Sequence, residues 1–243
     1  MLICAHTVGS TTLTNKVAIV TGGNRGIGEA IAQALAREGA NVVVSGRRRK
    51  ENERVAVEIK KKFGREALPI QADVSQEADC ERLIAEAISR LGRLDILVNN
   101  AGFYAGGVIA DTSSEDFDRV LKTNLYGTFW CARAAFRQMQ KQRGGFIINI
   151  SSVAGKESWR EGGPYSASKF GVMALTQALA DEGKLHDIKC CAICPAMVAT
   201  PMTGVSGPDY IQPEDIAETV LYLLRLSPAA WVTEIVVSRK GAE

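Results

Sequence analysis

The sequence predicts an α/β fold: one doubly wound domain with a parallel sheet of about seven strands and helices on both faces. Three observations predict it. Apolar runs of strand length alternate with helix-length amphipathic segments along the 243 residues. The runs are apolar throughout, as strands buried on both faces must be. A glycine-rich turn, Thr21-Gly22-Gly23-Asn24-Arg25-Gly26-Ile27-Gly28, joins the first run to the first amphipathic segment.

In chain order, residues 1–15 are expected to form a loosely ordered arm, and 16–243 the single domain. The first strand is "VAIVT". The helix after the turn places Ala30, Ile31, Ala34 and Leu35 on one face. Further strands are expected at "NVVVS", "ALPIQ", "LDILVNN", "GFIINIS", "IKCCAIC" and "TEIVVS", with helices between them. Right-handed crossovers then wind the sheet in both directions. The last helix opens at "QPEDIAET", where Pro213 suits a first turn and Glu214 and Asp215 favour the positive helix end.

An apolar fraction of 46% is ample for a core, and 29 basic against 27 acidic residues give a net charge of only +2. That balance argues against nucleic acid or a membrane surface as partner. No apolar run approaches the ~20 residues of a membrane span. The opening residues lack a basic n-region, so a cytoplasmic location is expected. Six cysteines, Cys4, Cys80, Cys131, Cys190, Cys191 and Cys194, are spaced irregularly, unlike a disulfide framework. Cys191 and Cys194 have CxxC spacing, but strand alternation sends them to opposite faces, so they read as core and no metal is expected. His6 and His186 lie outside every motif and receive no role.

The turn carries the first piece of chemistry. Gly22, Gly26 and Gly28, with Asn24, Arg25 and Ile27 between them, let the backbone approach a pyrophosphate at the following helix N-terminus. About 20 residues on, such a turn needs an acid for a ribose 2′-hydroxyl or an arginine for a 2′-phosphate. Here the strand ends in Ser45-Gly46-Arg47-Arg48, with no carboxylate. Arg47 and Arg48 clamp a phosphate well, and Arg25 can close from the other side, so NADP(H) is favoured over NAD(H).

The second piece lies far along the chain. Tyr165 and Lys169 are four residues apart and share one helix face. A phenol titrates near 10, and a nearby ammonium and the positive nicotinamide both lower that value by favouring phenolate. Tyr165 then trades a proton with a substrate oxygen that Ser152 holds by a hydrogen bond.

Together these motifs resemble the short-chain dehydrogenase/reductase family of Rossmann-fold oxidoreductases, from about Lys16 to Ser238. "TGGNRGIG" is similar to the family's cofactor turn. In "ADVS" the resemblance implies that Asp73 and Val74 meet the adenine, and in "NNAG" that Asn100, Ala101 and Gly102 run along the cofactor. "KTNLYG" supplies Asn124 as a fourth catalytic residue, which keeps a proton-relaying water beside Lys169. "NISSVAG" and "YSASK" supply Ser152, Tyr165 and Lys169, the lysine also holding the nicotinamide ribose. In "CPAMVATPM", Pro195, Ala196, Val198 and Thr200 are implied near the nicotinamide. The implied activity is hydride transfer between NADP(H) and a ketone or secondary alcohol. 3-Oxoacyl thioester reduction is one such substrate class. An NAD-linked alcohol dehydrogenase and a non-catalytic nucleotide-binding regulatory module are the competing readings.

Two segments depart from the family pattern. Ala196 stands where glycine is usual, and the tail "AAWVTEIVVSRKGAE" lacks the usual Asp-Gly-Gly ending. The segment from Thr200 to Pro213 corresponds to a mobile lid and is short. Phe103, Tyr104, Trp159 and Met197 are candidates to line an apolar substrate pocket. The resemblance also implies a homodimer or homotetramer built on the helices around "LYGTFWCARAAF" and "SASKFGVMALTQALA".

Overall fold

Seven runs of β-branched and aliphatic residues form the sheet: β1 (Val17–Thr21), β2 (Asn41–Gly46), β3 (Ala67–Gln71), β4 (Ile96–Asn99), β5 (Gly145–Ile150), β6 (Ile188–Pro195) and β7 (Glu234–Val237). The computed structural model describes residues 13–241. All strand pairs are parallel, in the order β3-β2-β1-β4-β5-β6-β7. The order reverses between β1 and β4, which opens a crevice at the carboxyl ends of those strands.

The helices are α1 (Gly26–Arg37), α2 (Arg49–Phe63), α3 (Glu77–Leu91), α4 (Ser114–Leu121), α5 (Gly127–Gln142), α6 (Gly163–Gly183) and α7 (Pro213–Arg225). Strand alternation divides the core into two layers. Val20, Val44, Val98, Ile148 and Ile193 face one way, onto α1, α2 and α7. Ile19, Val43, Leu97, Ile147 and Cys190 face the other way, onto α3, α5 and α6. Cys191 joins the first layer, while Cys194 packs on Met173 of α6, so the CxxC pair is split across the sheet as alternation requires. The five described cysteines are free and buried.

Of the expected arm, residues 1–12, including Cys4 and His6, lie outside the described residues. Leu13 is buried, and its amide donates to Glu38 O at 2.8 Å, while Thr14 and Asn15 are exposed. One further feature bears on the site. A π-helical turn (Lys122–Tyr126) interrupts the path from α4 to α5 and carries Asn124. Among the described residues, no helix is long and apolar enough to cross a membrane.

Candidate active site

The crevice is a cleft of about 400 Å³ above the carboxyl ends of the strands. Its floor begins at Thr21, whose hydroxyl donates to Val98 O and accepts from the amides of Asn100 and Ala101 at 3.0 and 3.1 Å. That hydroxyl joins the glycine turn to the segment after β4. Asn100 tightens the join by donating to the carbonyls of Thr21 and Gly22. Gly28 is required by close approach, because a Cβ there would stand 2.2 Å from Gly22 O. It is therefore a packing glycine and does not line the cleft.

The first turn of α1 is built to receive an anion. Its N-cap position is Arg25, which cannot accept a hydrogen bond, so the side chain caps none of the first-turn amides. Arg47 and Arg48 line the same cleft from the end of β2. Arg48 is shared with Glu51 at 3.5 Å. Uncapped amides beside exposed guanidiniums fit a pyrophosphate and a further phosphate. Asp73, Val74, Asn100, Ala101 and Gly102 continue the lining, and Pro195, Ala196, Val198 and Thr200 close it at the far end. Pro201, Met202 and Thr203 complete that end, and Thr203 Oγ1 ties the segment by donating to Val198 O at 2.7 Å.

Ser152, Tyr165 and Lys169 open into this same cleft. Ser152 stands two residues beyond β5 and caps a short 3₁₀ turn, accepting from the Ala154 amide at 3.1 Å. Pro164 starts α6, and the four-residue spacing then brings Tyr165 and Lys169 to the cleft together. The lysine ammonium lies 5.6 Å from the tyrosine ring centre and donates to Ile150 O at 2.8 Å.

Burial dominates the electrostatics of the pair. Burial raises the Tyr165 phenol to about 12, against a hydrogen bond with Ser152 that favours phenolate. Burial likewise drives Lys169 down to about 8. Without a cofactor, burial is the largest influence on the phenol. Both groups are desolvated, and the ammonium is engaged by a carbonyl. At neutral pH the phenol is neutral and the lysine still mostly charged, though it loses its proton more readily than an ordinary lysine.

Asn124 is also placed differently from a cleft-lining residue. It is 1% exposed, and its carboxamide accepts from the Phe103 amide and donates to Phe103 O and Ser168 Oγ. Ser168 in turn donates to Tyr165 O at 2.7 Å. Asn124 thus braces the backbone at both Phe103 and Tyr165 from behind. Asn24 lines the cleft, but its amide nitrogen is committed to Asn52 Oδ1 at 2.7 Å.

Of the pocket candidates, Tyr104 packs edge-on against Tyr165, with ring centres 5.2 Å apart. Trp159 and Met197 are half-exposed, and the Arg119 guanidinium stands 4.5 Å from the Phe103 ring centre. None of the four is among the residues that line the cleft. His186 bonds Gln140 and packs against Phe136, remote from the cleft motifs.

Sequence reasoning missed Thr21, Ser168 and Asn52 as contributors to the site. Thr21 and Ser168 carry no signal of their own, since both are ordinary at their positions. Asn52 does carry one: it is the polar member of the buried stripe Asn52, Val55, Ala56, Ile59.

Comparison with known proteins follows this geometry. The family pattern for short chain dehydrogenase matches residues 16–210. The chain belongs to that family. It is similar to an uncharacterised oxidoreductase of Staphylococcus aureus strain USA300, 37% identical over 230 residues, covering 93% of this chain and 98% of the relative. Among solved structures it is similar to an alcohol dehydrogenase of the archaeon Thermococcus sibiricus, complexed with 5-hydroxy-NADP. That match has a TM-score of 0.88 and 30% identity and covers 94% and 97% of the two chains. A short-chain type dehydrogenase/reductase of Mycobacterium marinum gives a TM-score of 0.87 and 32% identity, covering 93% and 95%. The chain is thus an oxidoreductase of the short-chain dehydrogenase family, a family that binds a nicotinamide cofactor.

Proposed function

We propose that this protein is an NADP(H)-dependent oxidoreductase that interconverts a ketone and a secondary alcohol. One observation carries the reading: Ser152, Tyr165 and Lys169 line the same cleft as the glycine turn and Arg47 and Arg48. The glycine turn and the α1 N-terminus hold the pyrophosphate, with Arg47, Arg48 and Arg25 on the 2′-phosphate. Asp73 and Val74 flank the adenine, and Asn100 to Gly102 follow the dinucleotide. Pro195, Ala196, Val198 and Thr200 border the nicotinamide.

The nicotinamide, when bound, supplies or accepts the hydride at the carbonyl carbon. Ser152 holds the substrate oxygen, and Tyr165 donates a proton to it. The phenol is neutral at neutral pH and so carries the proton that carbonyl reduction consumes. In the oxidative direction Tyr165 must first lose its proton, so alcohol oxidation is expected to rise with pH. Lys169 binds the nicotinamide ribose and adds its charge to that of the oxidised nicotinamide in stabilising phenolate. Asn124 keeps the relay water beside Lys169. Met202, which lines the cleft, and Tyr104, which packs on Tyr165, suit an apolar substrate.

The same reading proposes a homodimer or homotetramer through α5 and α6, where Tyr126, Phe129 and Phe170 stand exposed. The free cysteines suit a reducing cytoplasm.

Fluorescence titration of wild type and Arg47→Ala with NADPH and NADH tests the cofactor assignment. The account expects NADPH to weaken about tenfold or more and NADH to change little. Equal losses for the two would mean that Arg47 reads no phosphate.

A further inference from the structure

Asn52 is fully buried, at 0% exposure, in the first turn of α2. A buried carboxamide is costly unless its polar atoms are bonded. Here they are bonded to three separate parts of the chain. Its Nδ2 donates to Gly46 O at 2.8 Å, the last residue of β2. The same nitrogen donates to Ile70 O at 3.3 Å, near the end of β3. Its Oδ1 accepts from Asn24 Nδ2 at 2.7 Å, in the glycine turn.

Only Arg47 and Arg48 lie between β2 and α2, so Asn52 spans the segment that carries both arginines. Through Asn24 it also fixes that segment to the turn, whose next residue is Arg25. The separation between Arg25 on one wall and Arg47 and Arg48 on the other is thus set by a buried amide–amide bond.

The same pair controls what position 46 can carry. A Cβ on Gly46 would stand 2.6 Å from Asn24 Nδ2 and 3.1 Å from Asn52 Oδ1. The two carboxamides occupy the room that a side chain there needs. A carboxylate at the tip of β2, the group that bonds a free ribose 2′-hydroxyl, is therefore excluded by shape as well as by sequence.

We infer that Asn52 is a positioning residue for the 2′-phosphate of NADP(H), acting with Asn24 to space the arginine walls and keep position 46 bare. The inference rests on the NADP(H) reading above and concerns discrimination, not dinucleotide binding as such. Asn52 itself does not line the cleft. Simple packing would be served by an apolar residue, which needs no hydrogen-bond partners in a buried stripe.

Calorimetry with adenosine 2′,5′-bisphosphate and 5′-AMP tests it, since the two ligands differ only in the 2′-phosphate. The proteins compared are wild type, Asn52→Leu and Asn52→Ala, the smaller substitution standing in should the first fail to fold. Wild type should bind the bisphosphate about tenfold or more tighter than 5′-AMP. Each folded variant should lose most of that advantage, while its affinity for 5′-AMP stays within about threefold of wild type. A variant that keeps the wild-type ratio, or that weakens both ligands equally, overturns the role of Asn52. A wild type without preference overturns the NADP(H) reading itself, and that result is visible before any variant is compared.

Discussion

The two ends of the sheet treat buried charge in opposite ways. At the amino ends of the strands, Asp95 is 8% exposed and fully compensated. Arg93 grips it with two bonds of 2.7 and 2.6 Å, Lys16 approaches to 3.0 Å, and the Val17 amide donates at 3.0 Å. Burial alone would raise this carboxyl, but the Arg93, Val17 and Lys16 contacts together hold it below the usual carboxylate range. At the carboxyl ends, Lys169 is 5% exposed and among the described residues donates to the Ile150 carbonyl alone, and burial takes it down to about 8. Ser45, Asn99 and Ser166, each near this end, also hold buried side-chain oxygens without a partner among the described residues. One end is closed electrostatically. The other carries unmet demand, which is where titrating chemistry belongs.

The contrast is broken most severely at Tyr165. Tyr165→Phe removes the proposed acid and leaves the cofactor cradle intact. Turnover should fall at least about 10³-fold, with NADPH affinity nearly unchanged. Steady-state kinetics beside fluorescence titration measures both, and retained turnover would remove Tyr165 from the reaction.

Asp95→Asn probes the compensated end. It should lower stability by about 2–3 kcal/mol at neutral pH, because charge-assisted bonds are lost. Activity per folded molecule should stay near wild type. The carboxyl is depressed in the fold, so its contribution is full above the unfolded value of about 4 and fades as pH falls through the lower folded value. Denaturation curves from neutral to acid pH should therefore converge. A constant gap would mean that the loss is packing and not charge.

Lys169→Met probes the uncompensated end, with a smaller effect of opposite sign. The folded value lies below the unfolded one, so the unfolded chain holds the proton more tightly and charging the lysine opposes folding. That cost is full below about pH 8 and absent above the ordinary lysine value of about 10.4. The variant should be inactive yet about 1–2 kcal/mol more stable at neutral pH, after the lost carbonyl bond is allowed for. Thermal melts across that window check it, and a destabilised variant would show that the ammonium is better solvated than its burial implies.

The fold was legible because parallel strands buried on both faces read as unbroken apolar runs. All seven predicted strands formed, with ends shifted by no more than two residues, as at "LDILVNN", where β4 keeps Ile96–Asn99. Leu13 was not legible, because a single docked residue shows no period. Within the site, the motif residues were brought to one cleft apart from Gly28 and Asn124, which are turned to packing and bracing. Local spacing does not report such roles: the partner of Gly28 is a carbonyl across a turn, and that of Asn124 lies 21 residues back in the chain. The depth at which Tyr165 is buried escaped for a related reason. Sequence names the neighbours of a phenol but not the depth of its burial.

The contrast between the two ends is tested most directly by the protonation of Lys169. Its ammonium can be titrated by NMR in protein labelled at the lysine ε-carbon, with Lys169→Met assigning the resonance. The account predicts a midpoint near 8 for the cofactor-free protein. A midpoint near the ordinary 10.4 would contradict it, because the cleft would then solvate its lysine as well as the other end compensates Asp95.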